Sequence, residues 1–133
     1  MGDEVELQAD AAWSLAPALC EPTGCAWYHQ VWPSLRALGL VASPHRHAGF
    51  FLDGLAGAGD AVLVTGAADA AMVEIAAAAL PEATLTVLDR CATPVRLAEE
   101  WAGRHGRDVE PVVADVLEFE GAGRLAAVAT PAP

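Results

Sequence analysis

The sequence predicts an α/β fold built on a parallel sheet of three to four strands, with flanking helices and a helical segment in front. Short apolar runs at 61–65, 84–88 and 109–114 alternate with helical patterns at 69–80 and 93–105. The connections are short, as in right-handed strand–helix–strand units. We therefore expect an N-terminal helical cap over residues 1–59 and a partial Rossmann-like domain over residues 60–133, packed as one compact unit.

The first part of the chain has helical patterns separated by turn signals. Residues 1–12 fit a helix or a frayed end, and Pro17 indicates a short helix or irregular cover over 13–20. Further along, apolar residues at helical spacing predict a second, amphipathic helix with Trp27, Val31, Leu35 and Leu38 on one face. Pro33 should kink or break this helix, and Gly39 should form its C-terminal cap. Ser43-Pro44 then predicts the start of a helix that runs to Leu55.

A fourth strand is expected at 124–129. In the sheet order 3-2-1-4 it would form an open apolar edge, and natural proteins usually pair or cover such edges. We therefore expect a homo-oligomer, or a partner chain that covers the strand-four edge or the cap helices.

Composition excludes several function classes. The chain has seven arginines, no lysine and eighteen acidic residues, which give a formal net charge of −11. Nucleic acids and anionic membrane surfaces require basic patches, so a small molecule or a protein is the expected partner. The acidic start does not resemble a secretory signal, and three cysteines fit a reducing compartment, which predicts a cytoplasmic protein. The residue usage resembles that of a bacterium with GC-rich coding.

The turn after the first strand is the first candidate binding element. Gly66 can take a positive φ and let the backbone approach a ligand, and the helix that follows offers free N–H groups. Asp69 lies at the start of that helix, where capping is favoured over direct ligand contact.

Two later acids follow the next two strands. Asp89 closes the second strand, 23 positions after Gly66, close to the spacing at which an acid binds a ribose diol. The next helix is expected to start at Thr93, so the Asp89 carboxylate should be free. Asp115 follows the third strand, and alone it would be read as a solvated loop acid.

Together, Val62–Asp69, Thr86–Arg90 and Val113–Leu117 resemble the first three motifs of class I S-adenosylmethionine-dependent methyltransferases. The cap, around Trp27–Arg36 and Ser43–His47, resembles that of some bacterial members. The resemblance implies that the glycine turn binds the methionine end of S-adenosylmethionine, Asp89 the ribose and Asp115 the adenine. The candidate cofactor-binding residues are Thr65, Gly66, Ala67, Asp69, Asp89, Arg90, Asp115 and Val116. Because the family sheet has seven strands and this chain supplies four at most, binding is implied more strongly than methyl transfer.

Catalytic and metal-binding candidates are few. His29, beside Tyr28, is the first candidate for a general base that acts on an acceptor. Cys20-x₄-Cys25-x₃-His29 has some of the character of a zinc motif, but no fourth ligand is evident, so no metal site is predicted. Cys91 reads as a small apolar residue.

Two alternatives to a small-molecule methyltransferase stay open. One is a non-catalytic binding or assembly protein that has a methyltransferase-like half-fold and works with a partner chain. The other is a nicotinamide-binding fragment of the short-chain dehydrogenase type, suggested by Val64–Ala68. This second alternative would be supported by a Tyr-x-x-x-Lys pair, which a chain without lysine does not have.

Overall fold

The computed structural model describes residues 2–65, 69–120 and 127–129, with side chains described from residue 4 to 65 and from 69 to 120. Three helices form the cap: α1 (Gly2–Leu19), α2 (Ala26–Ala37) and α3 (Ala48–Leu55). The remaining elements alternate, as the sequence predicts: β1 (Ala61–Thr65), α4 (Ala71–Ala79), β2 (Thr84–Asp89), α5 (Ala92–Arg104), β3 (Val109–Val113) and β4 (Ala127–Ala129).

The first helix continues through Pro17, contrary to the interruption expected there. Proline has no N–H group and therefore leaves the carbonyl four residues earlier without its helical partner. That carbonyl belongs to Trp13, and the Gln30 side chain of α2 donates to it at 2.9 Å. The lost helical bond is thus replaced by one that joins α1 to α2.

The second helix buries a different face from the expected one. Trp27 and Leu38 are 74% and 72% exposed, whereas His29 and Pro33 are buried. Helix α2 packs mainly on α1. The buried side of α2 therefore carries His29 and Pro33, and apolar periodicity alone gave the wrong orientation.

The turn signals of the cap are confirmed. Gly39 has a φ of +74° after the end of α2. The Ser43 side chain accepts from the His45 N–H at 3.2 Å and caps a 3₁₀ turn over Pro44–His47, after which α3 begins. The single helix expected here is therefore divided into a 3₁₀ turn and a short α-helix.

The sheet is fully parallel, in the order β3-β2-β1-β4 that the sequence predicts. Thr65 of β1 pairs with Leu88 of β2, and Asp89 pairs with Val113 of β3. The carboxyl ends of these three strands therefore lie at one edge. The part of the predicted fourth strand that precedes Ala127 lies outside the described residues.

The main core lies between the sheet and helices α4 and α5. Strands β1 and β2 are buried almost throughout, as expected for a parallel sheet covered by crossover helices. The larger side chains of this core are Val62, Val64, Leu85, Val87, Met72, Ile75, Val95 and Trp101. A smaller buried cluster of Ala16, Cys20 and Cys91 joins the cap to the start of α5.

Among the described residues, no helix combines the length and apolarity that a membrane crossing requires.

Candidate functional site

The carboxyl edge of the sheet brings those predicted binding residues that the structure describes into one region. Strands β2 and β3 lie on one side of β1 and β4 on the other, so the direction of winding reverses between β1 and β4. In open α/β sheets, ligands bind outside the strand carboxyl ends at such a reversal. The half-buried Thr65 ends β1 at this point. The next two predicted contacts, Gly66 and Ala67, lie outside the described residues.

Asp69 has structural partners. Its Oδ1 accepts from the Ala71 N–H at 3.0 Å and from Arg36 of α2 at 2.5 Å, and its side chain is 6% exposed. This agrees with the capping role favoured by the sequence. The neighbouring Ala70 N–H donates to Gln8 Oε1 of α1 at 2.9 Å. Two N–H groups at the start of α4 are therefore already bonded to side chains.

Asp89 is half-buried at the end of β2. Its Oδ1 accepts from the Cys91 N–H at 2.9 Å. The carboxylate is therefore only partly free, whereas the sequence had led us to expect a fully free one. Burial raises the pKa of Asp89, although the Cys91 N–H and the nearby His29 oppose that rise. The other carboxylate oxygen can accept from a ligand hydroxyl.

Asp115 lies two residues beyond the end of β3, and the residue before it, Ala114, forms a backbone hydrogen bond with Asp89. The Ala114 N–H donates to the Asp89 carbonyl at 3.0 Å. Asp115 Oδ1 accepts from the Leu117 N–H at 2.9 Å and caps a 3₁₀ turn over Val116–Glu118. Val116 is 48% exposed and Arg90 is exposed as well.

The two catalytic candidates occupy different environments on α2. Tyr28 is 42% exposed and stacks on Trp32, with ring centroids 5.6 Å apart. His29 is 6% exposed, and its Nδ1 lies 3.2 Å from Cys20 Sγ. Burial lowers the pKa of His29, against the opposing effect of Asp89. The His29 Nδ1 atom thus faces a buried thiol group rather than an open pocket in which an acceptor could bind.

All three cysteines of the chain converge on His29. The ligand atoms of Cys20, Cys25, His29 and Cys91 lie within 4.8 Å of one another. Cys20 Sγ is 3.1 Å from Cys91 Sγ. Burial raises the pKa of Cys20 to about 12. Burial acts in the same direction on Cys91, but hydrogen bonds from Thr93 outweigh it and lower the pKa of Cys91. The thiols and the imidazole are all groups that bind soft divalent metals.

A shallow concavity of about 610 Å³ lies at the opposite edge, beside the amino ends of β2 and β3. The Arg107 guanidinium there donates to the carbonyls of Ala77, Leu80 and Ala83 at 2.8–3.1 Å. This arginine joins the end of α4 to the sheet, and none of the predicted binding residues lines the concavity.

Sequence reasoning missed three residues at the carboxyl edge. Gln8 and Arg36 reach the start of α4 from the cap, 62 and 33 positions away along the chain. No local pattern reports contacts over such separations. Cys91 places a fourth potential ligand atom beside Cys20, Cys25 and His29, and its position two residues after the end of β2 was an available signal.

Comparisons of the chain with protein-family models, with curated proteins and with solved structures give no match.

Proposed function

We propose that the protein binds S-adenosylmethionine at the carboxyl edge of its sheet, in the manner of a class I methyltransferase that acts on a small molecule. The reversal of winding between β1 and β4 carries this proposal, because it marks the position of ligand crevices in open α/β sheets. Gly66 follows β1 directly in the sequence, and Asp89 ends the adjacent strand.

The acids of this edge suit a nucleoside. A carboxylate at the end of β2 can accept hydrogen bonds from the ribose hydroxyls, and half-burial strengthens such bonds by excluding water. Asp115 lies after the next strand, where its carboxylate can accept from the adenine amino group. Both acids already accept a backbone N–H through Oδ1, which fixes their orientation.

Methyl transfer is an in-line displacement that depends mainly on positioning the acceptor. Asp89 and Asp115 are the described residues that support the proposed binding, whereas His29, the candidate general base, faces a thiol group. This observation favours a second candidate function, a non-catalytic binding or assembly protein that works with a partner chain. In either case we place the protein in the cytoplasm, where its three free cysteines would stay reduced.

Isothermal titration calorimetry with S-adenosylmethionine and with S-adenosylhomocysteine tests the proposal. We expect both to bind and Asp89→Asn to weaken them by roughly tenfold or more, because a hydrogen bond to a charged group contributes about 1.5–3 kcal/mol. Asp108→Asn is the matched control, since this exposed acid lies at the amino end of β3.

Thermal unfolding of both variants shows whether either substitution disturbs the fold. If neither compound binds to folded wild-type protein, the proposal is wrong. If both bind but no acceptor is methylated across a panel of small molecules, the non-catalytic function is the correct one.

A further inference from the structure

We propose that Cys20, Cys25, His29 and Cys91 form a tetrahedral zinc site that fastens the helical cap to the carboxyl end of β2. This inference is independent of S-adenosylmethionine, because none of the four residues belongs to the predicted cofactor contacts. It rests on the convergence of four ligand atoms from three separate parts of the fold.

The distances fit a single metal ion. The four ligand atoms lie within 4.8 Å of one another, and Cys20 Sγ is 3.2 Å from His29 Nδ1 and 3.1 Å from Cys91 Sγ. Zinc bound to three thiolates and one imidazole would set ligand atoms about 3.5–3.8 Å apart, given its usual bond lengths. To reach this spacing, the closest pairs would separate by about 0.3–0.7 Å and the widest pair would approach by about 1 Å.

The local structure of the cap presents its three ligands together. Cys20 follows the last turn of α1, and its carbonyl accepts from the N–H groups of Thr23 and Gly24 at 3.1 and 2.7 Å. Gly24 has a φ of +67°, which reverses the chain toward α2. Cys25 is the N-cap of α2, and the His29 N–H donates to its carbonyl. The spacing of four residues places Cys25 and His29 on one helix face.

The fourth ligand comes from the sheet domain. Cys91 is the N-cap of α5, two residues after the end of β2, and its thiol is buried against Cys20. An ordinary buried cysteine packs as a small apolar residue. Here the two buried thiols, from positions 71 residues apart, face each other and an imidazole nitrogen instead. A metal ion accounts for this arrangement better than apolar packing does.

Two threonine hydroxyl groups lie within hydrogen-bond distance of the thiols, in positions suited to an outer shell. Thr93 Oγ1 is 2.9 Å from Cys20 Sγ, and the Thr93 N–H donates to Cys91 Sγ at 3.5 Å. Thr23 Oγ1 lies 2.7 Å from Cys25 Sγ. Such donors stabilise thiolates and orient metal ligands. Thr93 is fully buried, so its hydroxyl is committed to this cluster.

Four protein ligands make a closed site, which is typical of structural rather than catalytic zinc. Binding requires the three thiol groups to ionise, and their protons pass to solvent as the metal–sulfur bonds form. The ion would hold α1, α2 and the start of α5 together. It would therefore fix the cap beside Asp89 whether or not a cofactor is present.

The proposal is tested on the full chain purified under reducing, metal-defined conditions. Mass spectrometry of the metal content should find one zinc per folded chain, and titration with cobalt(II) should give the intense visible absorption of tetrahedral thiolate coordination. The unfolding midpoint should rise with free zinc, because a ligand that prefers the folded state stabilises it.

His29→Asn should weaken cobalt binding by more than the roughly 10–100-fold that loss of an outer-shell partner costs. His47→Asn is its matched control, since this exposed histidine lies outside the cluster and should leave binding unchanged. Cys25→Ser, at the half-buried ligand, should lower the thiolate-to-cobalt charge-transfer absorption while the circular dichroism spectrum stays that of the folded protein.

Folded wild-type protein that binds neither zinc nor cobalt would overturn the proposal. Mapping of a disulfide between Cys20 and Cys91 in freshly isolated protein would also overturn it, since a disulfide removes two of the ligands. Both results are independent of the calorimetry with S-adenosylmethionine, so the two proposals can fail separately.

Discussion

Arg36 and Asp69 form a buried ion pair between the cap and the start of α4. Their side chains are 10% and 6% exposed. Removing one partner of such a pair leaves a charge without compensation, which typically costs about 3–5 kcal/mol. We expect Arg36→Met to lower the free energy of unfolding by that amount in urea denaturation.

Two variants serve as controls for this ion pair. Arg46→Met removes an exposed arginine of the 3₁₀ turn and should change stability by less than about 0.5 kcal/mol. The double variant Arg36→Met/Asp69→Asn should recover much of the loss, because a neutral amide can still accept from the Ala71 N–H. A double variant no more stable than Arg36→Met would contradict this explanation.

At the residue scale, sequence positions with local partners were predictable and distant partners were not. Ser43 caps its own turn and Gly39 ends its own helix, so their neighbours in sequence reveal their roles. Asp89 was identified from strand ends and spacing alone. Its bond to Cys91 depends on the turn conformation, and the meeting of Cys91 with Cys20 depends on how the cap docks.

At the scale of elements, the start of α1 is fastened to the end of α5 by Glu4. Arg104 Nε donates to its Oε2 at 3.3 Å, and His105 Nε2 lies 3.5 Å from the same oxygen. Burial opposes ionisation of Glu4, but hydrogen bonds from Arg104 and Gln8 outweigh it and lower its pKa from 4.5. The folded protein therefore binds the Glu4 proton less tightly than the unfolded chain does.

This difference predicts a pH-dependent contribution to stability. Because the pKa of Glu4 is lower in the folded state, its stabilisation is fully present above pH 4.5 and is lost as the pH falls through the folded value. Glu4→Gln should cost less than about 1 kcal/mol at pH 7, since the contact is partly exposed. The difference from wild type should disappear in acid, as measured by denaturation at several pH values.

Glu6→Gln is the matched control, because Glu6 is an exposed acid on the same helix. Its effect should be smaller than that of Glu4→Gln at neutral pH. A Glu4→Gln effect that persists unchanged at acid pH would show that packing rather than charge holds this contact.

Element boundaries were predictable where turn chemistry or β-branched runs define them. Strands β1 and β2 lie where the apolar runs indicate, and their crossover helices follow. The continuity of α1 was not predictable, because it depends on Gln30 replacing the bond that Pro17 removes. The face of α2 was predicted wrongly because its buried side is set by contact with α1, which apolar spacing does not report.

At the scale of the whole molecule, the cap and the sheet meet at the edge where ligands are expected. Gln8 and Arg36 reach the start of α4, while Cys20, Cys25 and His29 reach Cys91. One region of the cap thus contacts the start of α4 and another lies against the residues that follow β2. Displacement of the cap should therefore disturb both proposed sites together, whereas changes near the amino ends of the strands should disturb neither.

Self-association is the remaining expectation for the whole molecule. Strand β4 stands at the end of the strand order, and exposed aromatic side chains lie on the cap, including Trp27 and Phe50 at 74% and 76% exposure. Unpaired strand edges and exposed apolar groups are both usual sites of association. We expect light scattering after size exclusion to give a mass that rises from monomer toward dimer with concentration.

Three variants identify the contact surface. If β4 pairs with a second copy, Ala127→Lys should shift the protein to monomer, because a charge on an edge strand opposes pairing. If the cap mediates association, Trp27→Glu should have that effect instead. Glu110→Lys, on the exposed opposite edge strand β3, is the control and should change neither result. A monomeric wild-type mass at every concentration would exclude self-association.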